Sequence, residues 1–213
     1  MKGIFITFEG PDGSGKTSVI REIVRRLEEQ QDSVISTREP GGNRIAEMIR
    51  ELILDPQNTD MDERTEALLY AASRRQHLKE TILPALTRGN IVICDRFVDS
   101  SVVYQGYARG IGMEEVAQMN QFATESLSPD LTLYLDVEAE IGLQRINQGK
   151  EKRQYDRLDR EALSFHQLVR SGYLKVVAKN TDRIVTVDAS AELEKVVESS
   201  WQIIQKFIQR RTN

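Results

Sequence analysis

Phe8-Glu9-Gly10-Pro11-Asp12-Gly13-Ser14-Gly15-Lys16-Thr17-Ser18 is a stretch that suits neither a helix nor a strand interior. Residues 9–15 hold three glycines, a proline and an aspartate, and a lysine and two hydroxyl residues follow. The run before it, residues 3–9 (GIFITFE), is β-branched and aromatic and predicts a buried strand. Behind it, Val19, Ile20, Ile23, Val24 and Leu27 recur at helical spacing and predict a helix over 16–30. Gly10 to Thr17 therefore match G-x-x-x-x-G-K-[ST] at every fixed position and in the strand–loop–helix setting that the motif requires. Glycines let backbone N–H groups curl toward one point, and the helix N-terminus adds the positive end of its dipole. Lys16 suits the β- and γ-phosphates and the Thr17 hydroxyl suits Mg²⁺. Gly10, Pro11, Asp12, Gly13, Ser14, Gly15, Lys16 and Thr17 are the candidate ATP-binding loop.

Outward from this loop, apolar runs alternate with helical patterns. Strands are expected over 33–37, 91–94 (IVIC), 131–136 (LTLYLD) and 184–187 (IVTV). Helices are expected over 43–54, about 62–83 with a stop near Pro84 or Gly89, 113–127, 138–147 and 158–179, and a final one carries Leu193, Val196, Val197, Trp201, Ile204, Phe207 and Ile208 on one stripe. Residues 38–42 (REPGG) read as a turn, and 148–157 (QGKEKRQYDR) as a charged segment without periodicity. Five apolar strands alternating with helices predict an α/β fold: a five-stranded parallel sheet flanked by helices on both faces, as one domain with a short basic lid. Sites in such sheets lie at the carboxyl ends of the strands.

Composition narrows the class. The chain has 213 residues, a net charge of −4 and one cysteine, Cys94. That balance does not point to nucleic-acid binding, and a lone cysteine excludes an internal disulfide and suits a reducing compartment. No apolar run is long enough for a membrane span or a secretory leader, so a soluble cytoplasmic protein is expected.

Further polar residues fall at strand ends. Asp95 and Arg96 follow the IVIC strand, the first suited to Mg²⁺ or its water and the second to bridging two phosphate groups. Tyr70 and Arg74 share a helix face, where a ring can stack on a base and a guanidinium can meet a base carbonyl; spacing alone equally describes a half-buried tyrosine and a solvated arginine. Ser101, Tyr104 and Gln105 lie just beyond Asp95, and Gln105 has the donor and acceptor that a pyrimidine N3–H and its flanking carbonyl require. The lid bases Lys150, Lys152, Arg153 and Arg157 suit closure over a transferring phosphoryl group, or simply a solvated loop. Cys94 reads as a small core residue.

FEGPDGSGKT, TREPGG, EALLYAASRRQH, CDRFVDSSVVYQGYARG and the RLDRE, FH and GY segments together resemble bacterial thymidylate kinases, over essentially the whole chain. The DRF…SS..YQG block is the specific part. The resemblance implies a homodimeric nucleoside monophosphate kinase that transfers the γ-phosphate of ATP to dTMP with Mg²⁺. By the same resemblance Tyr70 stacks on thymine; Arg74, Ser101 and Gln105 read the base; Tyr104 crowds the sugar 2′ position; and Asp12 reads the 3′-hydroxyl. Arg38, Glu39, Arg50 and Arg96 surround the acceptor phosphate and metal, with Glu39 a further metal candidate beside Thr17 and Asp95. Arg145 with residues 188–189 flanks adenine. Some relatives carry a catalytic arginine in the loop where this chain has Gly13, which moves that expectation to lid residues Arg153 and Arg157. Two rivals remain open at this level: a kinase for dUMP or UMP, and an acceptor-independent P-loop NTPase. Against a GTPase, the only N-K-x-D-like stretch, Lys179-Asn180-Thr181-Asp182, has the wrong order.

Overall fold

The computed structural model describes residues 3–148 and 162–212. Five strands form one sheet: β1 (Ile4–Glu9), β2 (Val34–Arg38), β3 (Ile91–Asp95), β4 (Leu131–Asp136) and β5 (Ile184–Asp188). Their order is β2-β3-β1-β4-β5, and every pairing is parallel. The central strand lies in register with both neighbours, Ile6 opposite Ile93 on one side and Leu131 on the other.

Side-chain alternation along β1 splits the core in two. Ile6 and Phe8 face α1 (Lys16–Glu29) and α9 (Leu193–Thr212), where Ile23, Leu27, Val196, Val197 and Ile204 are buried. Phe5 faces the opposite side and packs with Leu78, Ile82, Val92, Cys94 and Phe97. Full burial of each such apolar side chain contributes roughly 1.5–3 kcal/mol. The remaining helices are α2 (Arg44–Leu54), α3 (Glu63–His77), α4 (Leu83–Thr87), α5 (Val98–Ser101), α6 (Met113–Thr124), α7 (Ala139–Gln148) and α8 (Leu163–Lys179). Asn43 caps α2 and Asp62 caps α3, each with a side-chain oxygen accepting from the first turn.

Of the two stops expected for the long helix, Pro84 and Gly89, the structure takes the second. After α3 the chain passes through a π-helical turn at Leu78–Ile82 and continues as α4 through Pro84. Proline at the start of a helical segment needs no N–H donor, so Pro84 does not end the rod. The turn comes at Gly89, where φ is +84°. The segment after β3 is helical: α5 leads into a second π-helical stretch, Val102–Ala108, which aims Tyr104 and Gln105 inward. The lid expected at 148–157 lies outside the described residues, apart from Gln148 at the end of α7.

Candidate active site

The carboxyl end of β1 is flanked by the carboxyl ends of β3 and β4, the crevice where chain connections leave in opposite directions. The loop between β1 and α1 fills it. Gly15 enters α1 at φ +84°, and Gly13 sits at φ +78° with its Cα side pressed on α7. A Cβ on Gly13 would meet the Gly142 carbonyl oxygen at 2.2 Å. The position that holds an arginine in some relatives therefore has no room for any side chain here.

Lys16 is buried at the first turn of α1, and its Nζ donates to the Gly10 carbonyl at 2.9 Å, the Pro11 carbonyl at 3.0 Å and the Ser14 hydroxyl at 3.3 Å. Burial and then the nearby Arg96 charge lower its pKa to about 8. The Thr17 hydroxyl donates to Asp95 Oδ2 at 3.2 Å, from the first turn of α1 across to the end of β3. Among the described residues no hydrogen bond reaches the buried Asp95 Oδ1. The Thr17 hydroxyl and the Asp95 carboxylate, one of whose oxygens is buried and unpartnered among the described residues, form a donor pair suited to a hard divalent cation such as Mg²⁺.

Arg96 follows Asp95 with φ +71°, a left-handed backbone that only a few non-glycine residues adopt. Its N–H donates to the Phe8 carbonyl at 2.9 Å and ties this bend to β1. The guanidinium is held on two sides. Nη2 donates to Asp12 Oδ1 at 2.6 Å and to the Tyr104 hydroxyl at 3.2 Å. Nη1 donates to the Gly10 carbonyl, the Ser100 hydroxyl and the Tyr173 hydroxyl at 3.1–3.2 Å. Beneath it, Glu9 accepts from the Phe97 N–H at 2.7 Å, the Ser100 hydroxyl at 2.5 Å and the Tyr173 hydroxyl at 2.9 Å. Burial, with the Asp99 charge next, raises the Glu9 pKa to about 7. Tyr104 also donates to Asp12 Oδ2 at 2.9 Å. Burial opposes ionisation of Asp12, but Arg96 and then Lys16 outweigh it and hold its pKa at about 2.

Two cavities meet at this arginine. One, of about 110 Å³, is lined by Asp12, Glu39, Pro40, Arg50, Leu54, Tyr70, Arg74, Arg96, Ser100, Ser101, Tyr104 and Gln105. The other follows the glycine loop and is lined by Gly13, Gly15, Lys16, Thr17, Ser18, Arg38 and Asp95, sharing Asp12, Glu39, Arg50 and Arg96 with the first. The structure thus gathers in one place the residues expected at a base pocket, a phosphate cradle and the seam between them.

Arg74 is nearly closed off, with its side chain 2% exposed. Nε donates to Glu39 Oε2 at 2.6 Å, Nη1 to the Ser101 hydroxyl and to Asn120 Oδ1, and Nη2 to the Phe97 carbonyl. Among the described residues, four of its five N–H groups are thereby committed, and one remains. Glu39 Oε1 contacts His77 Nδ1 at 3.0 Å, so both Glu39 oxygens have protein partners. Arg38 and Arg50 each donate to the Pro40 carbonyl. Arg145 reaches the Ala189 carbonyl at 2.8 Å and the Ser190 carbonyl at 3.4 Å, beside the glycine loop. Cys94 is buried, its thiol pKa pushed well up by burial, and it donates to the Arg96 carbonyl.

A family model described as thymidylate kinase matches residues 8–200. The chain is 60% identical to a thymidylate kinase from Latilactobacillus sakei over 96% of this chain and 95% of that protein. It is 59% identical to one from Enterococcus faecalis, over 97% and 98%. The crystal structure of a thymidylate kinase from Ehrlichia chaffeensis superposes with a TM-score of 0.77, at 31% identity, over 96% of this chain and 99% of that one. The chain belongs to the thymidylate kinase family. A thymidylate kinase is a nucleoside monophosphate kinase, with ATP as phosphate donor, and the two joined cavities are the arrangement such an enzyme needs. No helix among the described residues is long and apolar enough to cross a membrane.

Several residues around the two cavities were not legible as site residues in the sequence: Glu9, Ser100 and Tyr173 under Arg96, and Asn120 and Glu66 beside Arg74 and Gln105. The available signal was weak but real. Glu9 ends an otherwise apolar strand, and Glu66 and Asn120 are polar residues that helical periodicity turns inward. The arginine candidates Arg153 and Arg157, with Lys150 and Lys152, lie outside the described residues.

Proposed function

We propose that the chain transfers the γ-phosphoryl of ATP to dTMP, giving dTDP and ADP, with the glycine-loop cavity as donor site and the Tyr70–Gln105 cavity as acceptor site. The single observation that carries this reading is Arg96, which lines both cavities and is locked between Asp12 and the Ser100–Tyr173–Glu9 set.

The loop amides and Lys16 hold the ATP phosphates, with Arg145 beside Ala189 flanking the adenine. Tyr70 stacks on the base, Gln105 and Ser101 meet its edge, and the remaining N–H of Arg74 is offered to a base carbonyl. Tyr104 crowds the sugar 2′ position and Asp12 takes the 3′-hydroxyl. Arg38, Arg50 and Arg96 surround the acceptor phosphate, with Glu39 behind them. The acceptor oxygen is already anionic, so it needs no strong general base; alignment and charge stabilisation do the work. Arg153 and Arg157 supply charge from the lid. Thr17 and Asp95 would hold Mg²⁺, with Glu39 a further candidate, and the ion would neutralise charge on the β- and γ-phosphates.

The same reading makes the protein a cytoplasmic homodimer that takes no nucleic acid. Support for the dimer comes from two exposed apolar side chains on adjacent helices: Leu68 on α3 is 60% exposed and Phe122 on α6 is 90% exposed. Phe122→Asp is expected to shift a dimer toward monomer in sedimentation analysis; an unchanged mass would refute this face.

Turnover with a panel of acceptors tests the function. dTMP is expected to be the preferred acceptor among dTMP, dUMP, UMP and AMP. Equal rates with dTMP and AMP, or ATP hydrolysis that does not depend on acceptor, would overturn it.

A further inference from the structure

The base pocket contains one contact with a fixed chemical sense. Gln105, on the π-helical stretch after β3, and Glu66, on α3, are both buried, 2% and 1% exposed. Gln105 Nε2 donates to Glu66 Oε1 at 2.8 Å, and Arg109 Nε stands 3.7 Å from the same carboxylate oxygen. A carboxylate only accepts hydrogen bonds. The Gln105 amide therefore turns its NH₂ to Glu66, which leaves Oε1 for the pocket that Gln105 lines. A carbonyl oxygen at a pyrimidine edge accepts from N3–H and repels a bare N3 lone pair. Thymine presents N3–H, and cytosine presents the lone pair. Arg74 acts in the same direction, because a guanidinium has donors only and suits a C4 carbonyl, not a C4 amino group.

We propose that Glu66 is a specificity-determining positioning residue: it fixes the Gln105 amide with its carbonyl toward the acceptor base, and so makes the pocket favour a pyrimidine with N3–H over one with an N3 lone pair. The proposal rests on the dTMP reading of this pocket. Glu66 touches no substrate; it acts by denying Gln105 the flipped amide.

The test compares dTMP with 5-methyl-dCMP, which shares the sugar, phosphate and 5-methyl group and differs at N3 and C4. Glu66→Gln places a second amide beside Gln105, able to donate to its Oε1, so the Gln105 amide can turn. The ratio of kcat/KM for 5-methyl-dCMP to that for dTMP is expected to rise about ten-fold, through the acceptor KM, while the KM for ATP stays unchanged. An unchanged ratio in an E66Q protein that melts like wild type overturns the proposal. If E66Q does not fold, Gln105→Met serves instead. It removes the amide at similar size, so dTMP loses an acceptor, the analogue loses a repulsion, and the ratio again rises. Equal losses for both acceptors overturn the orientation. Failure of the wild-type protein to phosphorylate dTMP is a distinct outcome and overturns the underlying reading as well.

Discussion

Arg96 Nη2 and Asp12 Oδ1 lie 2.6 Å apart, and this pair forms the seam between the two cavities. Asp12 comes from the glycine loop and Arg96 from the end of β3, so their contact couples the cavity along the loop to the cavity that Tyr70 and Gln105 line. Tyr104 accepts from the same guanidinium and donates to the same carboxylate, which closes a three-residue set. Such pairing, in a site 17% and 29% exposed on its two sides, gives the arginine a defined direction before any phosphate arrives.

Lys16 carries a pH signature. Its pKa is held at about 8, below the ordinary 10.5, first by burial and then by Arg96. A polyanion at the cradle favours the charged ammonium, so the bound state holds more protons than the free state. Around pH 8, ATP binding is expected to take up about half a proton, and affinity to weaken as pH rises through that value. Calorimetry in buffers of different ionisation enthalpy measures this; proton release, or none, would refute the assignment. The same depression makes folding less favourable at pH values below 8 than a normal lysine would, a penalty that fades as pH climbs toward 10.5.

Gly13 is constrained twice, by φ +78° and by the Gly142 carbonyl at 2.2 Å from a built Cβ. Gly13→Ala is expected to cost about 1–3 kcal/mol in backbone strain alone, or a fall in Tm of about 2–4 °C for each kcal/mol. Gly13→Arg should be worse and should not restore a loop arginine. A melting curve unchanged in G13A would contradict the packing of the loop on α7.

Thr17→Val tests the cation site independently of turnover. Removing the hydroxyl that donates to Asp95 Oδ2 takes away one partner of the donor set. Mg²⁺ is expected to tighten ATP binding to wild type and to do so several-fold less in T17V, read by calorimetry with and without the metal. Equal Mg²⁺ dependence in the two proteins would remove Thr17 from the site.

The fold was open to sequence reading because periodicity reports burial directly. β4 ends where its apolar run predicts, at Leu131–Asp136, and α2 follows its capping asparagine. The end of the long helix was legible only as a choice between Pro84 and Gly89, because a proline signals a break unless a π turn places it at a segment start. In the candidate site, the glycine loop could be read in full because each position has a local reason. The support under Arg96 could not. Glu9 and Tyr173 are 164 residues apart and meet only when β1 and α8 are packed. Nor does local sequence state that Gln105 and Glu66, 39 residues apart, share a hydrogen bond.

The most direct test is the single-turnover rate of Arg96→Ala with saturating ATP and dTMP, alongside its melting curve. A folded variant whose transfer rate falls on the order of 10³-fold, with ATP binding largely kept, is the predicted result. Near wild-type transfer would contradict the claim that Arg96 joins the two substrates.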